Sequence, residues 1–269
     1  YVRLHQPASF YGVNSEKLET HSGDLSSKQE ILAYYSRVLY RMENAGRVKF
    51  FGMMEHTGNG KVRSIVDPNK KIKFRIKKRL VDSTYMKVEV PSTTRPNFEV
   101  SKNVNLVPPN HLFSLSAGYD RYNIIGAGKT AVDAICFLVD SGVPKEKIYW
   151  FVSHDGWFWN REIVQPPLVG RAFLALLNAV NNNQLADEAF LDLEKIGNVF
   201  RLDQGISPTK WKCATISKKE LETVRNIQNV IRKGRVKKVT NNNIFLERGK
   251  ERNTERSITV NCSACGLAS

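Results

Sequence analysis

The feature that most constrains the fold is a glycine turn between a short apolar strand and an amphipathic helix, within residues 122–152. The first strand ends in Ile124 and Ile125, and the continuous apolar run at residues 148–152 predicts a second strand. A strand, a crossover helix and a second strand within about 30 residues form a βαβ unit. Parallel strands of this kind belong to a sheet that is covered on both faces. The sequence therefore predicts an α/β protein with a Rossmann-like domain.

The turn carries the pattern G-x-G-x-x-A, and we predict that it holds the pyrophosphate of a dinucleotide. Gly126 permits a tight turn out of the strand, Gly128 lets the backbone approach phosphate oxygens, and Ala131 allows close helix packing. The unpaired N–H groups at the helix start favour an anion. The candidate cofactor-binding residues of the turn are Gly126, Ala127, Gly128, Lys129, Thr130 and Ala131.

A phosphate loop of the G-x-x-x-x-G-K-[ST] type is a weaker interpretation of the same turn. Gly128, Lys129 and Thr130 match the end of that motif, but its first glycine would have to stand at Asn123. The dinucleotide interpretation is therefore preferred.

The choice between NAD and NADP depends on residues that follow the second strand. An acid there binds a ribose hydroxyl, whereas an arginine accommodates a 2′-phosphate. The chain has Ser153, His154 and Asp155 at this point, and all three are candidate cofactor-binding residues. Asp155 favours NAD and His154 is compatible with NADP, but both also suit a loop that faces water. The expected cofactor is therefore NAD(P).

The segments before the βαβ unit predict one helix and several antiparallel strands. Ser27 and Glu30 form a capping box at a helix start, and Gly46 follows the end of that helix. A hairpin turn is expected at residues 58–60, and strict alternation over residues 71–77 predicts a strand with one wet face.

The segments after the βαβ unit begin with an aromatic loop at residues 155–161 and continue into helices. Two helices are predicted at residues 168–180 and 185–196. A third starts at the capping box of Ser217 and Glu220 and extends to about Ile231. Strands are then predicted at residues 235–239, 244–246 and 258–260.

Charge and cysteine content limit the functional classes. The net charge of +15, from 41 basic against 26 acidic residues, fits either a polyanion partner or a basic surface that attracts anionic cofactors. The basic residues 70–79 alternate with apolar ones, which favours a solvated strand face over a nucleic-acid site. No apolar run reaches 18 residues, so no membrane partner is expected. Four cysteines favour a reducing, cytoplasmic setting.

The sequence shows no metal-ligand pattern. The histidines are scattered, and Cys262 and Cys265 form a lone C-x-x-C without a second pair. These two cysteines are interpreted as small apolar residues at a strand end, with a redox dithiol as the minor alternative.

Residues 125–134 and 155–161 resemble the NAD(P)-binding half of two-dinucleotide flavoproteins, which include flavin-containing monooxygenases and related FAD/NAD(P)-binding oxidoreductases. Residues 3–7 and 11–15 resemble a block that follows the FAD fingerprint in the latter group. Residues 81–85 and 260–264 resemble the points where such chains cross between domains. By this resemblance, Arg3, His5, Gln6 and Asn14 belong to the cofactor-binding region near the flavin.

The resemblance implies a Rossmann-like NAD(P)-binding domain inserted in a discontinuous FAD-binding domain. Residues 1–117 would form part of the FAD-binding domain with a helix and antiparallel strands. Residues 118–240 would form the NAD(P)-binding domain with a helical insertion, and residues 241–269 would return to the FAD-binding domain. The FAD fingerprint and the last part of that domain are missing, so the chain is expected to be an internal fragment.

The implied activity is that of a monooxygenase-like, FAD-dependent and NAD(P)H-linked oxidoreductase that acts on a small organic molecule. The cofactors carry such chemistry, so no catalytic side chain is assigned. The arginine that relatives usually carry near Ser153 is missing, which leaves the nicotinamide cofactor undecided between NAD and NADP. A non-catalytic NAD(P)-binding module is the first alternative, and a basic nucleic-acid-binding protein is the second. The sequence does not address the oligomeric state.

Overall fold

The structure is a computed structural model that describes residues 3–18, 25–84, 90–114 and 118–264. The α-helices in these ranges are α1 (Lys28–Asn44), α2 (Lys129–Asp140), α3 (Val169–Asn182), α4 (Ala186–Lys195) and α5 (Lys218–Arg225). The β-strands are β1 (Gly12–Val13), β2 (Glu16–Lys17), β3 (Met54–Gly58), β4 (Lys61–Ser64), β5 (Lys71–Lys73), β6 (Glu99–Val100), β7 (Leu106–Val107), β8 (Arg121–Ile125), β9 (Ile148–Phe151), β10 (Gly156–Asn160), β11 (Val199–Phe200), β12 (Lys210–Ile216), β13 (Asn229–Ile231), β14 (Val236–Val239), β15 (Asn243–Leu246), β16 (Gly249–Arg252) and β17 (Ser257–Asn261).

A five-stranded parallel sheet in the order β13-β9-β8-β17-β7 forms the centre of the molecule. Its first four members reproduce the 3-2-1-4 order of a dinucleotide-binding half. Every residue of β8 and of β17 is buried, as expected when both faces of a parallel sheet are covered. The fold is therefore α/β and Rossmann-like.

Two different layers cover this sheet. On one face, α2 and α5 pack through Ala131, Ile135 and Leu221 onto strand residues such as Ile124 and Ile258. The other face is covered by the sheet β16-β15-β14-β6, whose apolar residues share a core cluster with strand residues of the parallel sheet. The arrangement leaves the carboxyl ends of β8, β9, β13 and β17 at one edge, where a ligand can bind.

The remaining elements form smaller units. Strands β11-β10-β12 make a three-stranded sheet whose tryptophans pack against α3 and α4. Strands β3-β4-β5 form an antiparallel sheet, and α1 packs on the N-terminal segment through Tyr34 and Val38. Among the residues that the structure describes, none of the helices has the length and apolar character needed to traverse a bilayer.

Several local predictions are confirmed. Both capping boxes form: Ser27 caps α1 and Ser217 caps α5, each with reciprocal bonds to the glutamate three positions on. The hairpin turn joins β3 to β4, and Asn59 adopts the positive φ that such a turn requires. The βαβ unit consists of β8, α2 and β9.

Three predictions about the later elements and the basic strand are wrong. Residues 156–160 form β10 rather than a loop, because Trp157, Phe158 and Trp159 are buried between two neighbouring strands. Helix α5 ends at Arg225, and Ile231 lies in β13, which pairs with β9. The strand predicted at residues 71–77 is limited to Lys71–Lys73.

The division into domains remains a prediction, but the structure adds one fact to it. Strand β17, within residues 241–269, pairs with β8 along five positions and so belongs to the sheet that contains the glycine turn. The antiparallel β14–β16 segment precedes it and covers one face of the same sheet.

Candidate dinucleotide-binding site

The turn after β8 is fixed by contacts with the carboxyl ends of its two neighbouring strands, β9 and β17. Gly126 has a φ of 138°, and a Cβ at this position would lie 2.8 Å from the carbonyl oxygen of Cys262. Its N–H donates to the carbonyl of Phe151 at 3.1 Å, and its carbonyl accepts from the Trp150 indole Nε1 at 2.7 Å. Only glycine fits this position, because both the backbone conformation and the close approach exclude a side chain.

Gly128 has a different environment from Gly126. It is the N-cap of α2 in an extended conformation, and a Cβ built on it meets no described atom within 4 Å. The space above the turn is therefore open, and the helix N-terminus behind it presents N–H groups and the positive end of a dipole. Ala131 is fully buried, which allows the helix to pack closely on the sheet.

A cluster of charged side chains, which we call the edge network, joins the N-terminal ends of α2 and α5. Lys129, the first residue of α2, pairs with Asp133 one turn on and with Glu220 of α5 at 2.8 Å. Arg161 binds the other oxygen of Glu220 at 2.8 Å and donates to the carbonyl of His5 at 2.9 Å. Lys129 is only 8 % exposed, so its amine faces this network. A phosphate would then meet its backbone N–H rather than its side chain.

The edge network shifts the pKa values of two of its members. Burial alone would raise the pKa of Glu220, but the charge and hydrogen bond of Lys129, the Ser217 N–H and Arg161 outweigh it and lower the value to about 2. Burial lowers the pKa of His5, although the nearby Asp133 carboxylate, 3.7 Å away, acts in the opposite direction. The carboxylate of Glu220 is therefore ionised throughout the physiological range, which keeps both basic partners in place.

A second charged group lies beyond the ends of β9 and β13. Arg232 donates to both oxygens of the Asp155 carboxylate, most closely through Nε at 3.0 Å and a terminal nitrogen at 3.2 Å. Asp203 lies 3.7 Å from the same guanidinium. His154 contacts the hydroxyl of Ser153 at 3.2 Å. The predicted residues 153–155 thus stand at the expected edge, but Asp155 is engaged by an arginine.

A cavity of about 540 Å³ lies beside β13, next to this pair. Trp150, Val224 and Val230 line its apolar part, while Asp203 and Arg232 stand among its polar lining residues. The cavity therefore combines apolar and charged lining, which suits a small molecule that itself carries polar groups.

The four residues assigned by resemblance to the flavin region have different surroundings. Only His5 lies against the edge network; its ring faces Asp133 of α2. Arg3 donates to the carbonyl of Leu25 at 2.7 Å, and Gln6 accepts from the Tyr11 hydroxyl at 2.6 Å. Asn14 is exposed in the turn between β1 and β2. Their assignment to a flavin site remains a prediction.

Two of the described thiols, those of Cys136 and Cys262, are poor nucleophiles. Burial raises the pKa of Cys262, and it raises that of Cys136 to about 12, with Glu220 adding to the effect. Cys262 instead contributes its backbone: its N–H bonds the carbonyl of Ile125, and its own carbonyl faces Gly126. Cys265 and Tyr85 lie outside the described residues.

Sequence reasoning missed several residues of this edge. The sequence identified Glu220 only as a capping residue. Its position at a helix start was the one feature that pointed to a contact with α2. Arg232 was missed because residues 229–231 were assigned to a helix, although an arginine directly after a short apolar strand is the expected partner for a phosphate or carboxylate. No local sequence pattern around Arg161 or Trp150 predicted the contacts that these residues make.

Comparison with known proteins gives relatives in sequence and in fold. No protein-family model matches the chain. Uncharacterized proteins of Mycobacterium tuberculosis and Mycobacterium bovis are 34 % identical to it over 282 residues, which cover 99 % of this chain and 52 % of theirs. The chain therefore spans about half the length of the curated relatives that it matches.

A solved structure shares the fold. It is a mutant flavin monooxygenase from Stenotrophomonas maltophilia, with a TM-score of 0.54 and 12 % sequence identity, covering 97 % of this chain and 64 % of that one. At this identity the similarity shows a common fold alone. It extends over nearly the whole chain, including the segments outside the parallel sheet.

Proposed function

We propose that this chain binds NAD(P) at the turn after β8 and forms the nicotinamide-nucleotide-binding part of an FAD-dependent oxidoreductase. One observation carries the proposal: the two glycines of the turn have opposite environments at the carboxyl edge of a 3-2-1-4 sheet. Gly126 is pressed against Cys262, whereas Gly128 lies beneath open space at a helix N-terminus. A structural turn needs the first glycine, whereas the close approach of a phosphate would explain the second beyond the ordinary preference for glycine at an N-cap.

The residues of the edge suit a dinucleotide. The backbone N–H groups of residues 127–129 would hold the pyrophosphate, and no acidic side chain belongs to the turn itself. Asp155 and Arg232 stand where a ribose hydroxyl or a 2′-phosphate would be recognised. The adjoining cavity, which Trp150, Val230 and Arg232 help to line, offers both apolar and polar surface to a nucleoside.

The flavin part of the proposal rests on the shared fold and on the resemblance of residues 3–7 and 11–15. The chemistry that these groups supply when bound is hydride donation by the nicotinamide and electron acceptance by the flavin. This chain would hold and orient the nicotinamide cofactor. The turn fixes its phosphates, and the edge network ties α2 to the segment that contains His5. A domain inserted in a discontinuous FAD-binding domain, and an organic substrate, follow from the same proposal.

Calorimetric titration with NADH and NADPH tests the nucleotide site. Gly128→Val places a side chain in the open space, so we expect nucleotide affinity to fall by at least about tenfold while the melting temperature changes little. Gly170→Val is the matched control, since Gly170 also lies beneath open space but in α3. Equal affinity of the two variants would place the nucleotide elsewhere.

The flavin part is tested separately on a protein extended to the full length of the relatives, because this chain spans about half of that length. Added FAD should be retained on gel filtration with its visible absorbance, and it should support oxidation of whichever nucleotide binds. Nucleotide binding without flavin retention, in a protein extended to the full length of its relatives, would favour a non-catalytic NAD(P)-binding module.

A further inference from the structure

The small sheet β3-β4-β5 concentrates positive charge on one of its two faces, which we call the basic face. Directly opposed residues of an antiparallel pair point to the same side. Lys61 is paired with Lys73, and Arg63 with Lys71, so these four cations form a two-by-two array. Val62 and Ile72, which alternate with them, point to the opposite face.

The cations of this array have little compensation. Arg63 binds Glu55 of β3 at 2.7 Å. Among the residues that the structure describes, Lys61, Lys71 and Lys73 have no carboxylate within 4.0 Å. All four cations are exposed. Like charges directly opposite each other destabilise a sheet, so this arrangement is unfavourable for folding. The surrounding residues 70–79 contain no acidic residue.

An exposed apolar group, which we call the apolar tip, lies at one end of the same sheet. It consists of Met53, Ile65 and Val66, which are 61 %, 58 % and 71 % exposed. The N–H of Ile65 donates to the carbonyl of Met53 at 3.0 Å, so the two segments are adjacent. The N–H of Ser64 likewise donates to the carbonyl of Lys70, so a further lysine lies beside the apolar tip.

We propose that the basic face and the apolar tip dock on the surface of a lipid bilayer that contains anionic lipid. A flat array of cations beside aliphatic side chains matches a negatively charged interface with an apolar interior. Nucleic acid is a poorer match, because the positions of the basic face carry no aromatic ring on which a base can stack. Peripheral docking requires no spanning segment. The proposal therefore revises the expectation of no membrane partner, which rested only on the lack of an apolar run long enough to span a bilayer, and it does not depend on the nucleotide site.

Co-sedimentation with vesicles tests the proposal. We expect binding to phosphatidylcholine vesicles with about 30 % phosphatidylserine, no binding to pure phosphatidylcholine, and weakening as NaCl is raised from about 0.1 to 0.5 M. The double variant Lys71→Glu/Lys73→Glu should bind at least about twentyfold more weakly, since each cation near such a surface contributes roughly fivefold. Ile65→Ser/Val66→Ser should reduce the binding that persists at high salt.

The matched control is Lys102→Glu/Lys219→Glu, which changes the net charge equally at exposed lysines outside the small sheet. It should retain most of the vesicle binding, and the melting curves of all variants should show a single native transition. Equal losses in the control and in the basic-face variant would overturn the proposal, because binding would then depend on net charge alone. Tighter binding to single-stranded RNA than to vesicles, lost on reversal of Lys71 and Lys73, would also overturn it.

Discussion

Charged side chains at the edge of the parallel sheet are matched by opposite charges, whereas those on the basic face of the small antiparallel sheet have little compensation among the described residues. In the edge network, Lys129 and Arg161 share the carboxylate of Glu220, and a second carboxylate, Asp133, completes the pairing of Lys129. On the basic face, Lys61 and Lys73 are directly opposed, and neither forms an ion pair with any carboxylate in the part of the chain that the structure describes. Buried charge must be matched because its desolvation is costly, whereas exposed charge is screened by water and salt.

The two sheets also differ in how completely they are covered. Strands β8 and β17 are buried at every residue, so the turn that leaves β8 is held by surrounding backbone. Strands β3 and β5 are largely exposed, so their side chains are free to contact a partner. We therefore expect substitutions in the parallel sheet to change folding and nucleotide binding. Substitutions in the small antiparallel sheet should change association with a surface.

The largest effect is expected from Gly126→Ala. The substitution forces a side chain into a positive φ and against the Cys262 carbonyl, so the free energy of unfolding should fall by roughly 3–5 kcal/mol. Urea unfolding measures it, with Gly128→Ala as the control, which should cost less than about 1 kcal/mol. Equal costs at the two glycines would contradict the assigned difference between them.

Removal of the central carboxylate should have the next largest effect. Glu220→Gln leaves Lys129 and Arg161 without their shared anion, and we expect a loss of roughly 2–3 kcal/mol in the free energy of unfolding. The measurement is again urea unfolding at neutral pH. A loss as small as that of an exposed pair would show that the edge network is solvated.

The same carboxylate predicts a pH dependence with a defined sign. The folded-state pKa of about 2 lies below the ordinary value of 4.5, so the stabilisation is complete above pH 4.5 and is lost as the pH falls towards 2. Thermal unfolding between these limits should show a steeper decline for the unmodified protein than for Glu220→Gln. Parallel curves would contradict the low pKa.

An intermediate effect on nucleotide affinity is expected from Asp155 and Arg232, the charged pair beyond β9 and β13. It should show whether this pair decides the preference between NADH and NADPH. Asp155→Asn frees the Arg232 guanidinium, so the ratio of NADPH to NADH affinity should rise by about tenfold. Arg232→Gln should shift the ratio in the opposite direction. Calorimetry with both nucleotides measures the change, and shifts of the same sign in both variants would remove the pair from the site.

The smallest effect is expected on the basic face, where removal of charge should stabilise the protein. Lys73→Thr relieves the repulsion with Lys61 and should raise the free energy of unfolding by roughly 0.2–1 kcal/mol at low salt. The gain should disappear at about 1 M NaCl, where repulsion is screened. A loss of stability at low salt would mean that the lysine has a partner in the fold.

Local signals predicted the elements that short-range bonds define. The capping boxes at Ser27 and Ser217 fixed two helix starts, since both bonds of a box lie within four residues. The end of α5 was not predictable in this way. Val230 and Ile231 suit either a last helical turn or a short strand, and only pairing with β9 decides between them. The aromatic strand β10 was not predicted either, because only its pairing with β11 and β12 distinguishes it from a loop.

The sequence by itself determined the βαβ unit and the glycine turn, because glycine conformation, helix periodicity and strand length are local properties. The tertiary structure alone decided what surrounds that turn. Glu220 reaches Lys129 across 91 positions, and the carbonyl of Cys262 closes on Gly126 from the far end of the chain. Such contacts depend on the order of strands in the sheet, which no short stretch of sequence specifies. The same strand order places Arg232 against Asp155. We expect these two charged groups to determine whether the site prefers NAD or NADP.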